Sequence, residues 1–256
     1  MQHIKAIGFD LFNTLITMRP EALDDALDRL WGSLQSNGLR LERDAFLEAH
    51  RKAALDHILT ARKTGQETHN RLWISQALKE LGLSVPPDDP RISQAVTAYF
   101  SAFSQHASLI PDTLDMLATL GQRYPLGLLS NFTHPPAARS ILDDTGMSEH
   151  FQVIVISGDV GIRKPHPGSF SALTQALGVA PDEMLYIGDN PEADVDGAYQ
   201  AGIRPVWMTY VRDNNLAFAP GVSAEQMESP LVQSLRVNTW SRLLDLVDRG
   251  RKQRTV

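Results

Sequence analysis

The chain has no cysteine among its 256 residues. Disulfides, thiolate zinc sites and a cysteine nucleophile are therefore excluded, and a reducing, cytoplasmic setting is expected. An excess of positive charge is also missing. A net charge of −6 and a pI near 5.7 give no reason to expect nucleic acid or an anionic membrane as partner. No apolar run has the length of a transmembrane helix, and the first strand-like segment starts too near Met1 to leave room for a signal peptide. Internal repeats and low-complexity stretches are absent as well. What remains is a 43% hydrophobic chain, enough for a substantial core and suited to one large domain or a core with a smaller insert.

The most informative stretch is Gly8-Phe9-Asp10-Leu11-Phe12-Asn13-Thr14-Leu15. Ile4, Ala6, Ile7 and Phe9 read as a buried parallel strand, whose apolar run is nearly continuous because both faces are covered. Asp10 stands at its carboxyl end, where open α/β sheets bind ligands. Taken alone, such an aspartate could equally cap the helix that follows.

From about Glu21 to His106 the apolar residues take helical spacing. Leu23, Ala26, Leu27, Leu30 and Trp31 make one face, and Phe46, Ala49, Ala53 and His57 another. Leu72, Ile74, Leu78 and Leu81 continue the pattern to a stop at Gly82, a loop spans Val85 to Pro90, and a helix runs from Arg91 to about Ser104. Beyond Pro111 helices and short apolar runs alternate. The helices are Thr113 to Gln122, Pro135 to Thr145, Gly168 to Leu177 and Glu192 to Ala201. The strands are Leu126 to Leu129, Gln152 to Ser157, Met184 to Ile187 and Pro205 to Met208. This alternation predicts an α/β fold, a doubly wound parallel sheet with helices on both faces. Asp213 to Pro230 reads as a polar surface excursion, Leu235 to Asn238 as a last strand and Ser241 to Asp248 as a closing helix. Arg249 to Val256, with four basic residues, reads as a frayed end.

Polar residues follow the predicted strands at Asp10, Ser130-Asn131 and Gly188-Asp189, and Lys164 lies in Gly161-Ile162-Arg163-Lys164-Pro165-His166-Pro167 just before a helix. Parallel strand ends converge on one edge, so these residues can share a pocket. In order and strand context the four motifs resemble those of the haloacid dehalogenase (HAD) superfamily, over nearly the whole chain. The resemblance implies a Rossmann-like core, here residues 1–17 and 108–256, with an α-helical cap inserted as residues 18–107.

It also implies roles. Asp10 resembles the nucleophile that attacks phosphorus and becomes an aspartyl-phosphate; an ionised carboxylate suits that task, and the acyl phosphate is labile to water. Ser130 resembles the hydroxyl that binds the transferring phosphoryl oxygens, with Asn131 beside it, and Phe12, Asn13 and Thr14 line the same substrate side of the first loop. Lys164 resembles the lysine that neutralises nucleophile and phosphate. Gly188-Asp189-Asn190-Pro191-Glu192-Ala193-Asp194 resembles an acidic loop that holds Mg2+, with Asp10, Asp189, Asp194 and the backbone carbonyl of Phe12 as metal ligands. Hard oxygen donors in small number suit magnesium. By residue type alone Ser130-Asn131 could be a turn, Lys164 solvated surface, and Asp194 a helix N-terminal charge; Asp196 reads as acidic decoration of the same turn.

One position departs from the family's phosphatase pattern. Phosphatases of the superfamily usually carry a second aspartate two residues after the nucleophile, as general acid and base; here Phe12 stands there and cannot move a proton. Dehalogenases of the superfamily also have an aromatic residue there, but need no metal and usually lack the paired acidic loop. Three readings follow: a Mg2+-dependent hydrolase of a small phosphorylated metabolite, a 2-haloacid dehalogenase-like hydrolase of carbon–heteroatom bonds, and a catalytically weak phosphate-binding or partner-binding relative. Substrate choice would rest with the inserted helices, where Arg19, His50, Arg51, His57, Arg62, His69 and Arg71 are candidate contacts.

Overall fold

The computed structural model describes residues 3–219 and 229–252, without the side chains of the last three. In chain order the strands are β1 (Ala6–Phe9), β2 (Ile16–Met18), β3 (Ala107–Leu109), β4 (Leu126–Ser130), β5 (Val153–Ile156), β6 (Met184–Gly188), β7 (Arg204–Met208) and β8 (Leu235–Val237). The helices are α1 (Ala22–Ser36), α2 (Arg43–Thr64), α3 (Asn70–Glu80), α4 (Pro90–His106), α5 (Thr113–Gly121), α6 (Pro135–Asp144), α7 (Ser157–Val160), α8 (Pro167–Leu177), α9 (Gly197–Gln200), α10 (Tyr210–Asp213) and α11 (Trp240–Lys252). A π-helical turn at Pro191–Asp196 leads into α9. None of the described helices is long and apolar enough to cross a membrane.

Six strands form a parallel sheet in the order β5-β4-β1-β6-β7-β8. The chain leaves β1 toward β4 and β5, then returns to β1's other side with β6. That reversal opens a crevice beyond the carboxyl ends of β1, β4 and β6, where doubly wound sheets bind ligands. Each strand of the centre is buried on both faces, as its nearly unbroken apolar sequence requires. Ile7, Phe9, Leu128 and Ile187 pack with Leu117, Trp240 and Leu243. Ala6, Leu129 and Tyr186 point the other way, onto Phe170, Leu173 and Ala198. The period of two along each strand thus feeds two apolar layers.

Helices α1 to α4 occupy the chain between β2 and β3, which pair antiparallel. This pairing has no counterpart in the sequence reading: three residues are too few for periodicity to register. Local signals explain the helix ends. Glu42 accepts hydrogen bonds from the Asp44 and Ala45 amides at the start of α2, and Gly65, at φ +73°, ends it in a left-handed turn. Asp89 accepts from the Arg91 amide, with Pro90 in the first turn of α4.

Several expectations need correction. Of the face expected for α1, Ala26 and Leu30 are buried and Leu27 and Trp31 pack half-buried against the core, but Leu23 is exposed, and Ala22 and Leu34 complete the buried side. In α2 the buried histidine is His50, while His57 is half-buried and shares a hydrogen bond with Gln76. Ser157 begins a short helix rather than ending β5. The closing helix continues to Lys252, so the tail is not frayed from Arg249; residues 253–256 lie outside those described. Within the expected surface excursion, Ala219 is buried and its amide donates to Asn13 Oδ1 at 2.9 Å; residues 220–228 are outside the described set.

Candidate active site

Asp10 sits one residue past β1, anchored by its amide to the Ile187 carbonyl at 2.9 Å. The loop after it closes on itself: the Leu15 and Ile16 amides both donate to the Leu11 carbonyl, with Asn13 at φ +60°. A left-handed residue in so tight a loop favours asparagine. The fold brings Asp189, which follows β6, and Asp194 from the π-helical turn to the same place. Asp10, Asp189 and Asp194 each offer an oxygen within 4.8 Å of the others, and all three are buried. Gly188 makes this possible, since a Cβ there would overlap the Asp194 carboxylate.

Lys164 reaches this cluster from the loop before α8. Its Nζ donates to Asp10 Oδ1 at 2.6 Å and to Asp194 Oδ1 at 2.7 Å, with the Leu129 carbonyl and the Tyr186 hydroxyl each at 2.9 Å. Tyr186 donates its own proton to the Leu129 carbonyl, leaving an oxygen lone pair for Lys164. Burial works against the ammonium, but Asp10 and Asp194 outweigh it and hold its pKa above the usual lysine value. Burial pushes the Asp10 carboxyl up to about 6 while Lys164 pulls it down. Asp189 is driven well above the usual carboxylate range, first by burial and then by the Asp10 and Asp194 charges. Two carboxylates at about 4 Å repel by ~4 kcal/mol at an effective dielectric near 20. One ammonium cannot balance three such groups.

Two buried atoms make the imbalance specific. Asp189 Oδ2 and Ser130 Oγ have no hydrogen-bond partner. Leaving a buried polar group unpaired costs about 1–3 kcal/mol each. An unpaired carboxylate oxygen within a cluster of three is suited to a hard divalent cation, and an unpaired hydroxyl at the end of β4 is suited to an anionic oxygen. The residues therefore fit Mg2+.

The other expected site residues divide. Phe12 is half-buried beside Asp10, and its ring stacks on Phe132 at 4.9 Å between centroids. Thr14 is buried with its hydroxyl 3.4 Å from Asp10 Oδ2, so it supports the carboxylate; its place is not in the lining of the cavity. Asn131 borders the cavity, but its amide is spent on the Lys164 backbone. It accepts from the Lys164 amide at 2.8 Å and donates to the Lys164 carbonyl at 2.9 Å, and so holds the lysine loop in place rather than presenting a free donor. Asp196 is no decoration: its carboxylate accepts from the Leu231 and Val232 amides. Of the helical candidates, His50, Arg51 and Arg62 line the cavity; Arg19 donates to the Gln105 carbonyl and His69 shares a hydrogen bond with the Thr133 carbonyl.

Some contributors escape sequence reasoning. Tyr186 is a single polar tip in an apolar strand run, and the alternation that aims it at Lys164 is a property of the sheet. Trp207 on β7 donates its Nε1–H to the Asp189 carbonyl at 2.8 Å. The Glu67 carboxylate, shielded from solvent between α2 and α3, pairs with Arg163 at 3.0 Å and accepts from Ser157 Oγ, tying the lysine loop to the helices. No spacing in the sequence links these positions.

Residues 4–202 match the haloacid dehalogenase-like hydrolase family. The chain is 32% identical over 213 residues to a phosphoglycolate phosphatase of Rhodospirillum rubrum, covering 80% of each. It is 37% identical over 134 residues to a phosphoserine phosphatase of Thermus thermophilus, covering 52% of this chain and about half (51%) of that relative. Among solved structures, a 2-haloacid dehalogenase of Pseudomonas syringae pv. Tomato superposes with a TM-score of 0.66 at 21% identity, over 96% of this chain and 99% of the other. At that identity the likeness is one of fold.

Proposed function

The chain belongs to the haloacid dehalogenase-like hydrolase family, and within it we propose a Mg2+-dependent phosphohydrolase acting on a small phosphorylated metabolite. The observation that carries the reading is the buried trio Asp10, Asp189 and Asp194, with Lys164 as counter-charge and an unpaired oxygen on Asp189. Named relatives that are phosphatases lend it support. Residues 18–107 would form the cap over a core of 1–17 and 108–256. A cytoplasmic setting suits a cysteine-free hydrolase of metabolites.

Asp10, Asp189, Asp194 and the Phe12 carbonyl would hold the ion, which when bound supplies positive charge to the phosphoryl oxygens. The Asp10 carboxylate attacks phosphorus; the P–O ester bond breaks and the leaving oxygen departs with the electron pair. Ser130 Oγ donates to a phosphoryl oxygen, and Lys164 holds the attacking carboxylate ionised and aimed. Water then attacks phosphorus of the aspartyl-phosphate, releasing inorganic phosphate and regenerating Asp10. Phe12 takes no part in proton transfer, so protonation of the leaving group is left to solvent or to the substrate. A second reading, hydrolysis of a carbon–heteroatom bond by the same Asp10, draws on the Phe12–Phe132 stack, an apolar wall where a phosphatase would place an acid.

The discriminating experiment is a panel of phosphate esters and 2-haloacids, assayed with Mg2+ and with EDTA. Mg2+-dependent phosphate release is expected. Halide release that survives EDTA, without phosphate release, would replace the first reading with the second.

A further inference from the structure

A cavity of 610 Å3 opens from Asp10 toward helices α1 to α4. At roughly 30 Å3 for each water-sized atom it has room for about twenty. A two-carbon acid phosphate would leave about half of it empty. Its walls carry polar side chains, among them His50, Arg51 and Asn70, beside a run of large apolar ones: Leu27 of α1, Leu47 of α2, Trp73 of α3, and Phe100 and Phe103 of α4. The Phe12–Phe132 stack continues into them, since Phe132 meets Phe100 edge-on at 5.1 Å and Phe103 at 5.9 Å. An unbroken aromatic wall therefore runs from the loop of the nucleophile to α4. Leu23 and Leu55 border the same cavity and, at 38% and 48% exposed, add apolar surface to it.

The cations of the lining that could recognise a carboxylated substrate are paired or solvent-exposed. Arg51 pairs with Glu48 at 2.7 Å and Arg163 with Glu67 at 3.0 Å, while Arg62 is exposed. Acids that could protonate a leaving group are no better placed. Asp44 and Glu48 are both exposed, and Glu48 is held by Arg51. Alkoxides leave badly without a proton, whereas phenoxides leave without one.

Building on the phosphohydrolase reading, we propose that the substrates of this site are aryl phosphate monoesters, a phosphorylated phenolic oxygen on an apolar ring system. The ring lies against the Phe12–Phe132–Phe100 wall. Asp10 attacks phosphorus, the aryl P–O bond breaks, and the phenoxide departs with the electron pair and takes its proton from water. Water then hydrolyses the aspartyl-phosphate to inorganic phosphate. The wall that displaces the usual acid thus also selects substrates that do not need one.

Three esters test this on the Mg2+-loaded protein: 1-naphthyl phosphate, 2-(1-naphthyl)ethyl phosphate and phosphoglycolate. The expected kcat/KM for 1-naphthyl phosphate exceeds that for phosphoglycolate by roughly a hundredfold, from ring burial and leaving-group ability together. The naphthylethyl ester should share its low KM but not its kcat. In parallel, calorimetry with the Asp10→Asn protein and Mg2+ should find both naphthyl esters bound roughly tenfold or more tighter than phosphoglycolate. Leu27→Arg should narrow that gap; Leu55→Arg, at an exposed position, does the same job if the first variant unfolds. Turnover of phosphoglycolate at equal or greater kcat/KM, or equal binding of all three esters, overturns the aryl assignment and leaves the phosphatase reading standing. No turnover of any ester overturns both.

Discussion

Gly188 and Asp194 are in such close register that a methyl group on the glycine would occupy the position of the Asp194 carboxylate. The last residue of β6 thus sets where the acidic turn can stand. Gly188→Ala should displace Asp194 from Lys164 and Asp10, weakening Mg2+ binding by tenfold or more. The overpacking costs about 1–3 kcal/mol. Mg2+ titration calorimetry beside a thermal melt checks both; unchanged affinity would mean that Asp194 is not needed for the ion.

Asp10→Asn should abolish turnover while the fold persists, because the nearly isosteric amide is no nucleophile. Loss of the charge also leaves Lys164 with one carboxylate partner, Asp194. Full activity in a folded variant whose amide is verified by mass spectrometry would remove Asp10 from the chemistry.

Mg2+ should stabilise the protein as well as activate it, since it relieves the repulsion among the trio. At a hundred times its Kd an ion that binds only the folded state adds about 2.7 kcal/mol. A melting temperature that rises with Mg2+ in the wild type, and rises far less in Asp189→Ala, is expected. Equal shifts in both proteins would place the ion elsewhere.

His50 offers a pH test away from the carboxylates. Its ring lies among Phe46, Trp73 and Tyr99, its Nε2 has no partner, and burial lowers its pKa from 6.5 to about 4. The unfolded chain binds the proton more readily. Stability is therefore fully present above pH 6.5 and is lost as pH falls toward 4, by roughly 3 kcal/mol in all. His50→Leu should flatten the difference between melts at pH 7 and pH 5. An unchanged pH slope would assign the acid sensitivity to other groups.

The parallel sheet was legible because buried strands carry continuous apolar runs, with Asp10, Ser130 and Asp189 at or just past their carboxyl ends. Lys164, in a loop before a helix, was singled out only by the resemblance of the four motifs taken in order, which also supplied the roles of the other three. The orientation of α1 was not legible, because Leu23 borders the cavity and Leu27 touches both cavity and core, and an apolar stripe does not say which of the two it serves. Tyr186, Glu67 and Trp207 became visible only with tertiary structure, since each acts through partners many residues away. Asn131 carried a turn signal correctly read as polar, yet its bonds to Lys164 depend on where the lysine loop arrives.

Phe12→Asp is the sharpest test of what the aromatic residue costs and provides. If only the acid and base are missing from a phosphatase framework, restoring a carboxylate should raise alkyl-phosphate hydrolysis by roughly ten- to a thousandfold, part of the usual contribution of general acid–base catalysis. The gain should be smaller for p-nitrophenyl phosphate, whose leaving group needs little protonation. The same substitution removes a ring stacked on Phe132 and brings a further carboxylate near Asp10 and Asp189, so some stability and some Mg2+ affinity should be lost. Both must be measured on the variant, at saturating Mg2+. Aryl phosphates should then lose in KM what alkyl phosphates gain in kcat, because one position can serve as ring platform or as proton donor but not as both. A folded, Mg2+-bound Phe12→Asp protein that gains nothing on any phosphate ester would shift the balance to carbon–heteroatom hydrolysis, and loss of a haloacid activity in that variant would complete the case.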